Sequence, residues 1–217
     1  GWVLFMLKVV EEEKAASLYK RMNDAGCVFK FVVLAPEFSI EVDETTHRQA
    51  LTALHDALMK EMRQWHENLT KNPEYEDFPE PLISWDLESA VATPLNRDEI
   101  RSLTLTERTD IFERFALYAC FLNPPYRARF KKGKKEAQSV FNEWCELLGL
   151  NESDDVSVVN WVEEYSTGIH CNDDSASSVE PWSNYFNSGL EWWGVWCLTI
   201  WNPKRQTLSA LIASTTD

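Results

Sequence analysis

Apolar residues alternate on both sides of one stretch. Taken at period two, Trp192, Trp196, Leu198 and Ile200 point one way, while Trp193, Val195, Cys197 and Trp201 point the other. A strand that is apolar on both sides belongs in the middle of a sheet covered above and below, so residues 192–201 are expected to form the central strand. Asn202-Pro203-Lys204-Arg205-Gln206 reads as a hairpin connection, and residues 207–214 return beside the first strand.

Elsewhere the pattern alternates between short strands and helices. Residues 2–10, 27–34 and 38–42 read as strands. Between the first two lies a helix over 11–25, with Ala15, Leu18, Tyr19 and Met22 on one face and Gly26 as its C-terminal cap. The short crossover makes an antiparallel arrangement of these strands nearly as favourable as a parallel one. Thr45 or Thr46 is expected to cap a long helix running to about residue 69, with Leu51, Leu54, Leu58, Met62 and Trp65 as its buried stripe. Pro73, Pro79, Pro81 and Pro94 then mark an extended connection over 72–95, in which Leu82-Ile83-Ser84-Trp85 can dock as an edge strand. Helices are expected over 97–103 and 107–122, the second on the spacing of Ile111, Phe112, Phe115, Tyr118, Ala119 and Leu122, broken by Asn123-Pro124-Pro125. Another helix buries Val140, Phe141, Trp144, Leu147 and Leu148 and ends at Gly149, and a helical turn or two carries Val158, Val159, Trp161, Val162 and Tyr165. The expected architecture is α+β: one domain over 1–217, with a seam in 72–95 if there are two lobes. Its mixed, largely antiparallel sheet has a tryptophan-rich C-terminal hairpin at the centre and helices packed against it.

Composition agrees with a globular chain: 217 residues, 44% hydrophobic and 12% aromatic. The apolar start is short, lacks a basic leader and meets Glu11-Glu12-Glu13, so neither a signal peptide nor a membrane span is expected. Cys27, Cys120, Cys145, Cys171 and Cys197 are odd in number and contain no CxxC pair, which favours reduced thiols and a cytoplasmic location.

Charge changes the picture most. The net charge is −14, and from Glu136 to Pro203 there are twelve acids and no Lys or Arg. Such a surface excludes phosphate tracking as the main activity, so no direct contact with nucleic acid is expected. A basic run, Arg127, Arg129, Lys131, Lys132, Lys134 and Lys135, precedes the acidic stretch, and mutual neutralisation of the two is the expectation. The acids come in pairs and are interleaved with aromatics. Asp154, Asp155, Glu163, Glu164, Asp173, Asp174 and Glu180, around Trp182 and Tyr185, are therefore the candidate contacts for a basic protein partner.

Catalytic chemistry finds less support. His55 and His66 lie on one face of the long helix but roughly 16 Å apart, too far to share an ion. His170, Cys171, Asp173 and Asp174 offer donors without a second Cys or His at ligand spacing, so neither metal nor cofactor is expected. His170 and Cys171 are adjacent, and their side chains diverge unless another imidazole is brought to the thiol. No nucleophile elbow, phosphate loop or HExxH occurs.

The size, the acidity and the closing hairpin 190–203 (LEWWGVWCLTIWNP) resemble bacterial immunity proteins made against polymorphic, contact-delivered or type VI secreted toxins. The resemblance implies a non-catalytic binder that occludes a cognate toxin at its active site or nearby. A nuclease, often basic, would suit the charge. A small hydrolase-type enzyme with a Cys/His site and an oligomeric scaffold or adaptor are the alternatives.

Overall fold

The computed structural model describes residues 7–124, 129–151, 155–166, 180–190 and 194–215. A six-stranded sheet runs through it in the order β1-β2-β6-β5-β4-β3, where β1 is Leu7–Val9, β2 Lys30–Pro36, β3 Thr93–Pro94, β4 Ser157–Asn160, β5 Gly194–Asn202 and β6 Thr207–Thr215. Every neighbouring pair is antiparallel, so the short crossover from β1 to β2 returns the chain antiparallel.

The hairpin β5–β6 is at the centre, as its two-sided pattern requires. All nine residues of β5 are buried. Trp196, Leu198 and Ile200 enter the hydrophobic cluster on one face, and Val195, Cys197 and Trp201 enter the cluster on the other. Trp196 stands opposite Ala213 and Trp201 opposite Leu208, so a small partner accommodates one of the two indoles. Trp192 and Trp193 lie outside the described residues.

Four helices cover the Trp196 face: α1 (Glu12–Asp24), α3 (Arg97–Thr104), α4 (Leu117–Leu122) and α5 (Lys134–Leu148). A bidentate pair, Arg21 to Glu143 at 2.8 and 2.7 Å, ties α1 to α5. Gly149 takes φ 80 as the C-terminal cap of α5, and its carbonyl accepts from Asn202 Nδ2 at the hairpin turn, 3.0 Å away. The other face is covered by α2 (Glu44–Thr70), the 72–95 connection, the short α6 (Glu163–Ser166) and the segment 180–190.

Several elements differ from the sequence pattern. Asp43, rather than Thr45 or Thr46, caps α2: its carboxylate accepts from Thr46 N at 3.0 Å while Thr46 Oγ1 accepts from Asp43 N. Residues 38–42 form no strand, and Phe38 is exposed. The helix over 107–122 shrinks to α4, because Asp110 Oδ1 takes the Phe112 N–H into a local turn and Phe115 sits at φ 59. Residues 157–160 are a strand rather than a helical turn. Leu82-Ile83-Ser84-Trp85 forms no strand, and the edge strand is Thr93–Pro94, where proline is tolerated. No described helix is long and apolar enough to cross a membrane.

Candidate functional site

The long helix α2 organises one face through polar side chains that hold the connection running back along it. Arg48 donates from Nη1 to Leu87 O at 2.7 Å and from Nη2 to Ala90 O at 2.9 Å, with its guanidinium 4.9 Å from the Trp161 ring centroid. His55 Nε2 lies 3.0 Å from Ile83 O, and its ring stacks on Trp85 at 4.8 Å. His66 Nε2 reaches Phe78 O at 2.6 Å. The two histidines that share a helix face are thus clamps on the connection, each bonded to a backbone carbonyl.

Beneath this layer sits a buried polar cluster. Thr199 Oγ1 accepts from Trp161 Nε1 at 2.8 Å and meets His47 Nδ1 at 2.7 Å. The indole can only donate, so the hydroxyl keeps its hydrogen and a second lone pair for Nδ1 and can satisfy either neutral tautomer of His47. His47 is 4% exposed, and burial pushes its pKa down to about 4, against a smaller upward pull from Asp43. Such an imidazole is neutral, buried and bonded within the fold at neutral pH.

The thiols are held inside as well. Cys27, Cys120, Cys145 and Cys197 are free and buried. Burial raises the pKa of Cys27 to about 12, and that of Cys120 likewise to about 12 despite a bond from Trp196; Cys145 and Cys197 are also pushed upward. A thiol so protonated is a poor nucleophile. His170 and Cys171 lie outside the described residues. Among the described residues no three His, Cys, Asp or Glu side chains gather as a metal site.

Of the acidic and aromatic residues singled out in 154–185, the described ones differ in exposure and in what they bond. Trp182 is 4% exposed: its Nε1 donates to Trp161 O at 2.8 Å, and its ring meets Trp85 and Phe186 edge to face. It is therefore a core residue, not an exposed anchor. Tyr185 is half-buried over Phe186. Glu163 accepts from Asn160 at 2.7 Å and from Arg114 at 2.6 Å, and Arg114 also pairs with Glu99, so this carboxylate joins α6 to α3. Asp155, Glu164 and Glu180 are exposed. Asp154, Asp173 and Asp174 lie outside the described residues, as does Arg127 of the basic run. That run does not neutralise the acidic stretch through ion pairs among the described residues: Arg129, Lys131, Lys132, Lys134 and Lys135 are exposed, and the cations that do pair with it are Arg21 and Arg114.

Two other surface features went unread in the sequence. A cleft of 370 Å³ opens between α1 and α2, lined by Ala16, Tyr19, Phe31, Leu54, Ala57, Leu58 and Glu61. At its floor Tyr19 Oη accepts the Phe31 N–H at 3.0 Å, satisfying β2 beyond the end of β1. The second feature is the far end of α2. Its apolar stripe is buried as far as Leu58, but Trp65 is 47% exposed and meets the edge of Phe78, itself 42% exposed, at 5.9 Å. Comparison of the chain with protein-family models, with curated proteins and with solved structures found no match.

Proposed function

We propose that this chain is a non-catalytic binding protein that occludes a basic protein partner, as the bacterial immunity proteins resembled by its hairpin occlude their toxins. The observation that carries the reading is the sorting of charge. Twelve acids without a base occupy 136–203, and a second stretch, 72–96, holds six acids without a base. A surface of one sign steers an oppositely charged protein and accelerates its capture. The fold's use of its reactive groups also supports binding over catalysis: the described thiols are buried, and His47, His55 and His66 are bonded within the structure.

Co-expression with the product of each adjacent reading frame tests this. The expected result is relief of one neighbour's toxicity together with a stable complex on size-exclusion chromatography. Relief without a complex, or no relief with any neighbour, would count against occlusion.

A further inference from the structure

The end of α2 combines three properties. First, its apolar stripe outruns the sheet. At about 1.5 Å per residue, twelve residues beyond Leu58 carry the helix about 18 Å past its last fully buried leucine. Trp65 therefore continues the core stripe into solvent. Second, the turn at 73–75 and the residues after it bring Phe78 edge-on to Trp65 at 5.9 Å, and Tyr75 in the same turn is, like Phe78, more than two-fifths exposed. Third, the same turn is strongly acidic: Glu74, Glu76, Asp77 and Glu80 are exposed, and none makes an ion pair among the described residues. A solvated loop accounts for the acids, and a chance overhang accounts for one exposed aromatic. Three exposed aromatics at a helix end and the turn after it, with four such carboxylates in the same segment, have the composition of an interface centre and its rim.

The platform is also preformed. Asn72 caps the turn by accepting from Glu74 N at 3.1 Å, Phe78 N donates to Tyr75 O at 3.0 Å, and His66 holds Phe78 O. Little ordering is left to be done on association, which lowers its entropic cost.

We propose that this overhang, Trp65 with Tyr75 and Phe78 and the carboxylates of Glu74, Glu76, Asp77 and Glu80 in the same segment, is the docking face for a basic protein. The partner it fits presents an apolar knob flanked by Lys and Arg. The proposal rests on the reading of the chain as a binder of a basic protein, and it locates that contact away from 154–185, where Trp182 and Glu163 are already committed to the fold.

Fluorescence anisotropy on the full chain provides the test, with three labelled probes: a helical peptide bearing leucines on one face and Lys and Arg on the other, a polylysine of equal charge, and an acidic version of the peptide. The basic amphipathic peptide is expected to bind. Its affinity should fall at least about tenfold in Trp65→Ala with Phe78→Ala, and by a similar factor when the four carboxylates become amides (E74Q, E76Q, D77N, E80Q). Glu164→Gln with Glu180→Gln should leave it unchanged. These side chains are exposed, so unchanged circular dichroism is expected in every variant. If the Glu164 and Glu180 variant alone weakens binding, the docking face proposed here is wrong while the binder reading stands. If polylysine binds as tightly and ignores Trp65→Ala, charge alone acts and the anchors are refuted. If no basic probe binds, both readings fail. Sedimentation equilibrium covers the remaining occupant: a dimer abolished by Trp65→Ala would assign the face to a second copy of this chain and overturn the proposal.

Discussion

Replacing His47 by glutamine should flatten the dependence of stability on pH. The native imidazole resists protonation until pH falls to about 4, whereas in the unfolded chain it takes a proton near its ordinary value of 6.5. The unfolded state thus binds the proton first, and the stability given by the neutral, buried ring is present above about pH 6.5 and lost as pH falls toward 4. At about 1.36 kcal/mol for each tenfold difference in proton affinity, the loss reaches about 3 kcal/mol by pH 4 and about 1.3 kcal/mol between pH 7.5 and 5.5. The amide introduced by His47→Gln can still meet Thr199 but does not titrate, so the difference between the two proteins isolates this group from the carboxylates. Among those, Asp43 has its pKa held low by its bonds to Thr46, and it loses its contribution only as pH falls through that lowered value. Urea midpoints measured from pH 7.5 to 5.5 for both proteins supply the assay. The native protein should lose about 1.3 kcal/mol more than the variant over that interval, which is about 0.5 M in midpoint for a slope of ~2.5 kcal/mol/M. Parallel curves would mean that His47 is protonated or solvated in the native state, and the Thr199 hydrogen bond would have to be redrawn.

Two other outcomes test the sheet. Trp196→Ala removes an indole packed 6.2 Å from Phe29 in the core, and the denaturation midpoint should fall by the equivalent of about 3–5 kcal/mol; an unchanged midpoint would make β5 peripheral. Gly189→Ala places a methyl 2.2 Å from the Gly194 carbonyl and 2.6 Å from Ser214 Oγ, so the entry to β5 must shift, at a cost of about 1–3 kcal/mol. A thermal midpoint equal to that of the native protein would show that 189 and 194 are not in contact.

The centre of the sheet was legible because two-sided apolar alternation has few readings other than a covered strand. Other stretches were ambiguous for an identifiable reason. Val158, Trp161, Val162 and Tyr165 stand at spacings of three, four and seven, which satisfies a helix, yet Val158 and Val159 in fact face opposite sides of β4. Trp182 illustrates a different limit. An aromatic among polar neighbours reads as an anchor, but its burial is supplied by Trp85, Trp161 and Phe186, two of them far away in sequence. The clamps formed by Arg48, His55 and His66 were invisible because their partners are backbone carbonyls, which every residue offers. The exposed end of α2 was hidden by its own regularity: Trp65 continues the stripe of Leu51, Leu54 and Leu58, and only the length of the sheet shows where that stripe runs out of cover.

The pairing of β2 with β6 joins Lys30 to Ile212, so the ribosome makes the amino-terminal half of the sheet long before the strand that completes it. At about 5–20 residues per second, about 9 to 36 seconds separate the emergence of Lys30 from that of Ile212. Through that interval Phe31, Val32, Val33 and Leu34 have a bare edge, and the apolar stripe of α2 has no central hairpin to lie on. The nascent chain is therefore expected to expose apolar segments of the kind that chaperones shield. A ribosome that stops anywhere before β6 releases not a smaller domain but a chain lacking the shared layer of both cores.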